Sequence, residues 1–157
     1  MNRLIAKRSA FLLIAMLLLK AVPLQAAQSG DDILGVWNTT DNKSQVQIFK
    51  EKNKYCAKII SLKEPNWPAD DKEGMGGKSK NDRGNPDLKL RNRPIVGMQF
   101  MNGFVSDGKN QWVGGKIYDP EVGKTYKCKL TLVDTNHLEV RGYIGISLIG
   151  RTVVWTR

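Results

Sequence analysis

The chain is poor in the groups that metal and nucleophilic chemistry require. Among its 157 residues there is one histidine, His137, and two cysteines, Cys56 and Cys128. A metal site built from several imidazoles is therefore excluded, and a Ser-His-Asp site would depend wholly on His137. That histidine falls on the polar side of its strand beside a turn, which reads as a surface position. Asp70, Asp71 and Glu73 lack the alternating spacing and distal Glu of a calcium loop. Gly77-Lys78-Ser79 is not a phosphate loop, because the position that should hold the earlier glycine is Lys72. No paired carboxylates or nucleophile–base pair stand out, so no catalytic residue, metal or cofactor is assigned and the chain reads as a non-enzyme. Acids are scarce too, with 15 Asp and Glu against 25 Lys and Arg, a formal net charge of +10. Nucleic acid is a poor match for that excess, because the aromatics are spread through strands instead of interleaving the basic residues.

Long apolar runs are also lacking, with one exception. Arg3, Lys7 and Arg8 precede Ala10–Leu19, and Ala26-Ala27 supplies small residues for cleavage. Ten apolar residues are too few to cross a hydrocarbon core that needs about 20 in helix, so residues 1–27 read as a signal peptide. Position −3 of the cut, Leu24 or Gln25, is the weak point of that reading. A cysteine at the cut would indicate a lipoprotein, and none is there. With no second apolar run, the mature chain is expected to lack a transmembrane segment and to be soluble outside the cytoplasm. It would hold about 130 residues, enough for one domain, with a net charge of about +6.

No convincing helical stretch follows. Instead the apolar residues recur in period two, the spacing of half-buried strands. The pattern predicts strands at Leu34–Thr40, Ser44–Phe49, Tyr55–Leu62, Ile95–Asn102, Gln111–Tyr118, Lys124–Val133, His137–Ile144 and Arg151–Arg157. The turns carry Asp, Asn, Gly and Pro, as in Asp119-Pro120-Glu121-Val122-Gly123. The cleanest alternation sets Tyr126, Cys128, Leu130 and Leu132 against Lys127, Lys129 and Thr131. Eight strands in an open sheet would expose two edges, and closure removes them. The expectation is thus an all-β fold: one eight-stranded antiparallel barrel over residues 28–157, preceded by the signal-peptide helix. A barrel of that size is filled by side chains or holds one small ligand. Residues 63–94 form the one long connection, of a length that is usually functional or mobile.

Gly35-Val36-Trp37 opens the first strand, and Arg151 and Arg157 bracket the last. This resembles the signature of lipocalins and fatty-acid-binding proteins. The resemblance implies that Gly35 and Trp37 place an indole across one barrel end, with an Arg of the final strand packed over it. Longer motifs are similar to domain-of-unknown-function family 2147, small exported bacterial proteins. They are Asn85-Pro86-Asp87, Arg91-Asn92-Arg93-Pro94-Ile95-Val96-Gly97-Met98, Gly114-Gly115-Lys116-Ile117-Tyr118-Asp119-Pro120, Gly123-Lys124-Thr125-Tyr126, Val140-Arg141-Gly142-Tyr143-Ile144-Gly145, Gly150-Arg151-Thr152 and Trp155-Thr156-Arg157. The resemblance implies a lipocalin-like barrel in the bacterial periplasm and no established activity. Val96 stands where some relatives carry a Cys.

Two roles fit such a barrel. The first is a binding protein for one small hydrophobic or amphiphilic molecule, with residues 63–94 as lid or rim. Trp112, Tyr118, Arg141 and Tyr143 are the candidate cavity or rim positions, since amphipathic aromatics and one Arg suit a ligand with an acidic head. The second is a ligand-free module that docks on an envelope protein or anionic lipopolysaccharide. Its contact would be the basic cluster Lys78, Lys80, Arg83, Lys89, Arg91 and Arg93, faced in its own stretch only by Asp82 and Asp87. Glycines at 97, 103, 114, 115, 142, 145 and 150 favour this second role by narrowing the barrel. Cys56 and Cys128 are a candidate disulfide, although Cys128 lies on an apolar face and Cys56 alternates with lysines; bridge and free thiols both remain open.

Overall fold

The period-two runs become eight antiparallel strands. The computed structural model describes residues 30–157, so the signal peptide expected at residues 1–27 lies outside the described residues. The strands are β1 (Gly35–Asn38), β2 (Ser44–Glu51), β3 (Lys54–Leu62), β4 (Gln99–Ser106), β5 (Gln111–Asp119), β6 (Lys124–Asp134), β7 (His137–Tyr143) and β8 (Gly150–Thr156). Each pairs with its sequence neighbour and β8 returns to β1, which closes the barrel. Helical structure in this region is limited to three 3-10 turns. No helix among the described residues is long and apolar enough to cross a membrane.

Local chemistry explains most of the connections. Lys52 and Asn53 both adopt positive φ, 47° and 62°, and join β2 to β3 as the two-residue hairpin turn whose twist suits antiparallel strands. In β6 the inward side chains are Cys128, Leu130 and Leu132. They lie opposite Gly142, Val140 and Leu138 of β7, so one face of the pair builds the core while Lys127 and Lys129 stay outside.

Two departures from strict alternation change the expected assignment. The fourth strand begins at Gln99 instead of Ile95. Residues 95–98 form a turn in which the Met98 N–H bonds the Ile95 carbonyl at 3.2 Å and the Gly97 N–H bonds the Ile59 carbonyl at 2.8 Å. Ile95 and Met98 are buried by that turn, so their apolar character mimics a strand. In β5 the register shifts between Trp112 and Gly115, where Gly114 has φ +77°. This bulge reverses the parity of the strand, so Trp112, Gly115 and Ile117 share the face opposite Leu130, Cys128 and Tyr126. A Cβ on Gly115 would collide with the Phe104 ring, which shows why the position holds glycine.

Side chains fill one half of the barrel. Trp37, Phe104, Trp112, Met101, Leu130, Leu132 and Leu138 are almost wholly buried there. The 3-10 turn Gly30–Ile33 lies against this half, because the Trp37 Nε1–H donates to the Ile33 carbonyl at 2.8 Å and the Trp112 Nε1–H to the Gly30 carbonyl at 2.9 Å. The seam of the barrel is short: β1 and β8 share one ladder position, Asn38 opposite Thr156. Arg157 strengthens it. Its guanidinium lies 4.2 Å from the centre of the Trp37 ring and donates to the carbonyls of Leu34, Asp32 and Thr135 at 3.2, 2.9 and 2.6 Å.

Candidate functional site: a cavity in the open half of the barrel

The other half of the barrel is hollow. A cavity of about 1400 Å³ opens between the ends of β3, β5 and β7 and the starts of β2, β6 and β8. Its inner wall is apolar, with Ile59, Phe100, Ile117, Val140, Val153 and Trp155. Gly142 lies on this wall, and a Cβ there would meet only ordinary contacts, Ile117 at 3.8 Å and Tyr126 at 3.9 Å. The glycine therefore leaves space instead of filling a tight approach. The mouth is polar and balanced in charge. Lys43, Lys63, Lys80, Arg83 and Arg151 line it, and so do Asp41, Glu64, Glu73, Asp119 and Glu121.

Residues 63–94 form part of the mouth and are tied down in order. Strand-like bridges pair Asn66 with Ser79 and Asn81 with Pro94. Asp82 anchors the segment, fully buried and fully partnered. Its Oδ2 accepts from Arg93 Nε at 2.8 Å and Asn85 Nδ2 at 2.7 Å and forms an ion pair with Arg93 Nη2 at 2.7 Å, and its Oδ1 accepts from the Tyr118 hydroxyl at 2.7 Å. Burial, reinforced by the Asp82 carboxylate, pushes the Tyr118 hydroxyl up to about 12. A second anchor is Asp71, which accepts from Arg83 Nη1 at 2.8 Å. That bond holds the Asp71 carboxyl below its ordinary range. The Arg83 guanidinium also stacks 3.5 Å from the centre of the Trp67 ring. On the barrel side, a Cβ on Gly123 in the β5–β6 turn would collide with the Gly84 carbonyl, so segment and turn meet backbone to backbone.

The candidate residues are distributed unevenly over this geometry. Gly35 (φ +118°), Trp37 and Arg157 gather at the filled end. Arg151 does not join them; it lies exposed at the cavity mouth, at the far end of β8. Of the cavity candidates, Tyr118 and Tyr143 line the mouth, whereas Trp112 does not line the cavity. The Gly114 bulge separates the faces of Trp112 and Tyr118, and Trp112 packs in the filled half, edge-on to Tyr55 with ring centres 6.2 Å apart. Arg141 points outward from β7 and binds the β7–β8 connection.

The basic cluster is not a bare patch. Lys80 faces Glu64 at 3.9 Å, Arg83 faces Asp71 and Glu73, and Arg93 faces Asp82. Arg91 Nε donates to the Asn85 carbonyl at 2.8 Å, while Lys78 and Lys89 are exposed. Glu64, Asp71 and Glu73 come from outside the cluster's own stretch, and Asp82 from within it. Cys56 and Cys128 are both free and buried. Cys128 belongs to the core, where burial pushes its thiol up to about 12. Cys56 alternates with the inward Tyr55 and Ala57 and lies opposite Phe49. His137 is exposed beside Asp134, with Nδ1 at 2.8 Å from Oδ1. No group of three or more His, Cys, Asp or Glu side chains is placed to hold a metal among the described residues.

Sequence reasoning missed Asp82, Asn85 and Trp67 as the anchors of the mouth. The signal was present in Asn85-Pro86-Asp87, a turn motif that follows an acid and an arginine, but nothing local shows that Tyr118 will arrive 36 residues later. The wall residues Phe100, Val153 and Trp155 were also unassigned, because alternation reveals which residues share a face and not which part of the barrel is hollow.

A closed antiparallel barrel with one plugged end and one open apolar cavity is the architecture of a lipocalin-like protein. Residues 35–157 match the family described as uncharacterized protein conserved in bacteria (DUF2147), and the chain belongs to that family. It is also similar to protein HP1028 of Helicobacter pylori, described as belonging to the lipocalin family. The two share 29% sequence identity with a TM-score of 0.66, over 79% of this chain and 81% of that one. No curated protein matches the chain.

Proposed function

We propose that this protein is an exported, non-enzymatic binding protein that holds one small hydrophobic or amphiphilic molecule in the open half of its barrel and works in the bacterial periplasm. The observation that carries the reading is the cavity of about 1400 Å³ with an apolar inner wall beneath a polar mouth. Ordinary ligand pockets measure about 300–1,000 Å³ and combine an apolar lining with a few orienting polar groups. The apolar wall would take a chain or ring system, and the mouth would receive its head group. Charges of both signs line that mouth in equal number, so net charge there does not select an acidic head. The export signal read at residues 1–27 supports the location. The alternative, docking on an envelope protein or anionic lipopolysaccharide through Lys78, Lys80, Arg83, Lys89, Arg91 and Arg93, has less support. Three of those six cations already face carboxylates, and the glycines expected to narrow the barrel include Gly142, which widens the cavity.

The test is titration with the fluorescent amphiphile anilinonaphthalene sulfonate, followed by displacement with a long-chain fatty acid. The native protein should enhance the dye's emission. Gly142→Leu projects a side chain into the cavity and should weaken binding about tenfold or more, in line with about 1–3 kcal/mol for overpacking a site. Absence of dye binding by the native protein, or equal affinity in the variant, would overturn the proposal.

A further inference from the structure

The connection between β7 and β8 exposes an unusual amount of aliphatic surface. Ile144, Ile146, Leu148 and Ile149 are 68, 61, 83 and 70% exposed. Four aliphatic side chains within six residues make a contiguous patch, unlike the single exposed apolar residues that any surface carries. The backbone beneath them is secured from within. Arg141 donates through Nε to the Ser147 carbonyl at 2.8 Å and through Nη2 to the Leu148 carbonyl at 3.3 Å. Its Nη1 reaches the Thr152 hydroxyl at 2.8 Å, and the Ile149 N–H bonds the Ile146 carbonyl at 3.2 Å. The connection thus turns its apolar side chains outward while several of its polar backbone groups already have partners. Satisfied backbone is what an apolar surrounding demands.

The outer sheet face next to this tip is basic. Lys116 of β5 lies directly opposite Lys127 of β6, and Lys129 of β6 directly opposite Arg141 of β7. Like charges opposite one another destabilise a sheet. None of these four takes part in an ion pair among the described residues. Glu139, the acid on the same face of β7, lies opposite Thr131 and makes no ion pair either. Lys127 is in register with Tyr143, the residue before the tip, so the cations and the aliphatic patch are continuous. Among the described residues the fold keeps two repulsive pairs that no direct ion pair offsets, which argues for a counter-charge outside the molecule.

We propose that the 144–149 tip and the β5–β7 outer face together form a docking surface for a bilayer containing anionic phospholipid. The aliphatic side chains enter the acyl boundary while Lys116, Lys127, Lys129 and Arg141 meet the phosphates. Ile144 and Ile149 also border the cavity mouth, so docking brings that opening to the lipid surface. The docking itself does not require an occupied cavity.

Co-sedimentation with large vesicles tests this, comparing phosphatidylcholine alone with an equal mixture of phosphatidylcholine and phosphatidylglycerol. The native protein should partition onto the mixed vesicles at low salt, less onto phosphatidylcholine, and progressively less as salt screens the charges. Leu148→Asp should lower the partition by about tenfold or more with its melting temperature unchanged, because an exposed aliphatic contributes only once it is buried. Lys127→Glu should lower it by about fivefold or more. The same change removes the repulsion with Lys116, so this variant should melt no lower than the native protein. Both variants should keep dye binding in the cavity, and Gly142→Leu should keep vesicle binding, which separates this proposal from the preceding one. Native protein left in the supernatant of the mixed vesicles, or both variants sedimenting like the native protein, would overturn it. So would a dimer lost in Leu148→Asp without vesicle binding, which would make the tip an interface between copies.

Discussion

Arg157 combines several roles in one side chain. Its guanidinium covers the Trp37 ring and reaches three backbone carbonyls from two separate segments, the stretch before β1 and the β6–β7 turn. Arg157→Ala should therefore lower stability to urea by about 1–3 kcal/mol, with the larger figures excluded because the site is exposed. Arg157→Lys should recover only part of this, since an ammonium keeps the charge but lacks the planar fork. Tyr118 offers a pH-dependent counterpart. Its folded-state value of about 12 exceeds the ordinary 10.0, so the folded protein holds the phenolic proton more tightly than the unfolded chain does. The stabilisation is complete below about pH 10 and is lost as pH rises towards 12. Thermal melts across that window should show an alkaline decline that is smaller in Tyr118→Phe.

Between elements, the decisive contacts are those where backbones touch. The β5–β6 turn and the 63–94 segment meet at Gly123 and Gly84 with no room for a side chain, and Gly123 has φ +65°. Gly123→Ala should loosen the segment without opening the barrel. Hydrogen exchange should quicken at the Asn81–Pro94 bridge while the β6–β7 amides stay protected. The bulge at Gly114 shows why strands were easier to read than sites. Alternation located all eight strands, because half-buried β structure writes its period into the sequence. Carried across Gly114, the same alternation would give Trp112 and Tyr118 one shared face, and the extra residue of the bulge separates them. The fourth strand was displaced for a related reason: Ile95 and Met98 are buried by a turn, and burial alone does not distinguish a turn from a strand. The mouth was harder still, since Asp82, Arg93 and Tyr118 converge through contacts that no local pattern encodes. The aliphatic run at 144–149 was visible in the sequence, but only Ile144 entered a strand there, and alternation does not tell whether the apolar side chains of a connection face the core or the solvent.

The whole molecule divides its interior by function: one half packed around Trp37, Trp112 and Phe104, the other left open around Gly142 and Trp155. Packing in the first half is what allows the second to remain hollow, because a barrel with no filled end would rely on hydrogen bonds alone to keep its shape. The join between first and last strands, reduced to one ladder position with an arginine beside it, also orders events in time. Six of the eight neighbouring strand pairs are hairpin-like and can form as the chain emerges, and the seventh, β3 with β4, closes over the long connection between them, whereas the eighth must wait for residues more than a hundred positions downstream. Until then β1 presents a bare edge and an indole without its cover, so the nascent protein spends its synthesis as an open, curled ribbon that any passing strand could extend.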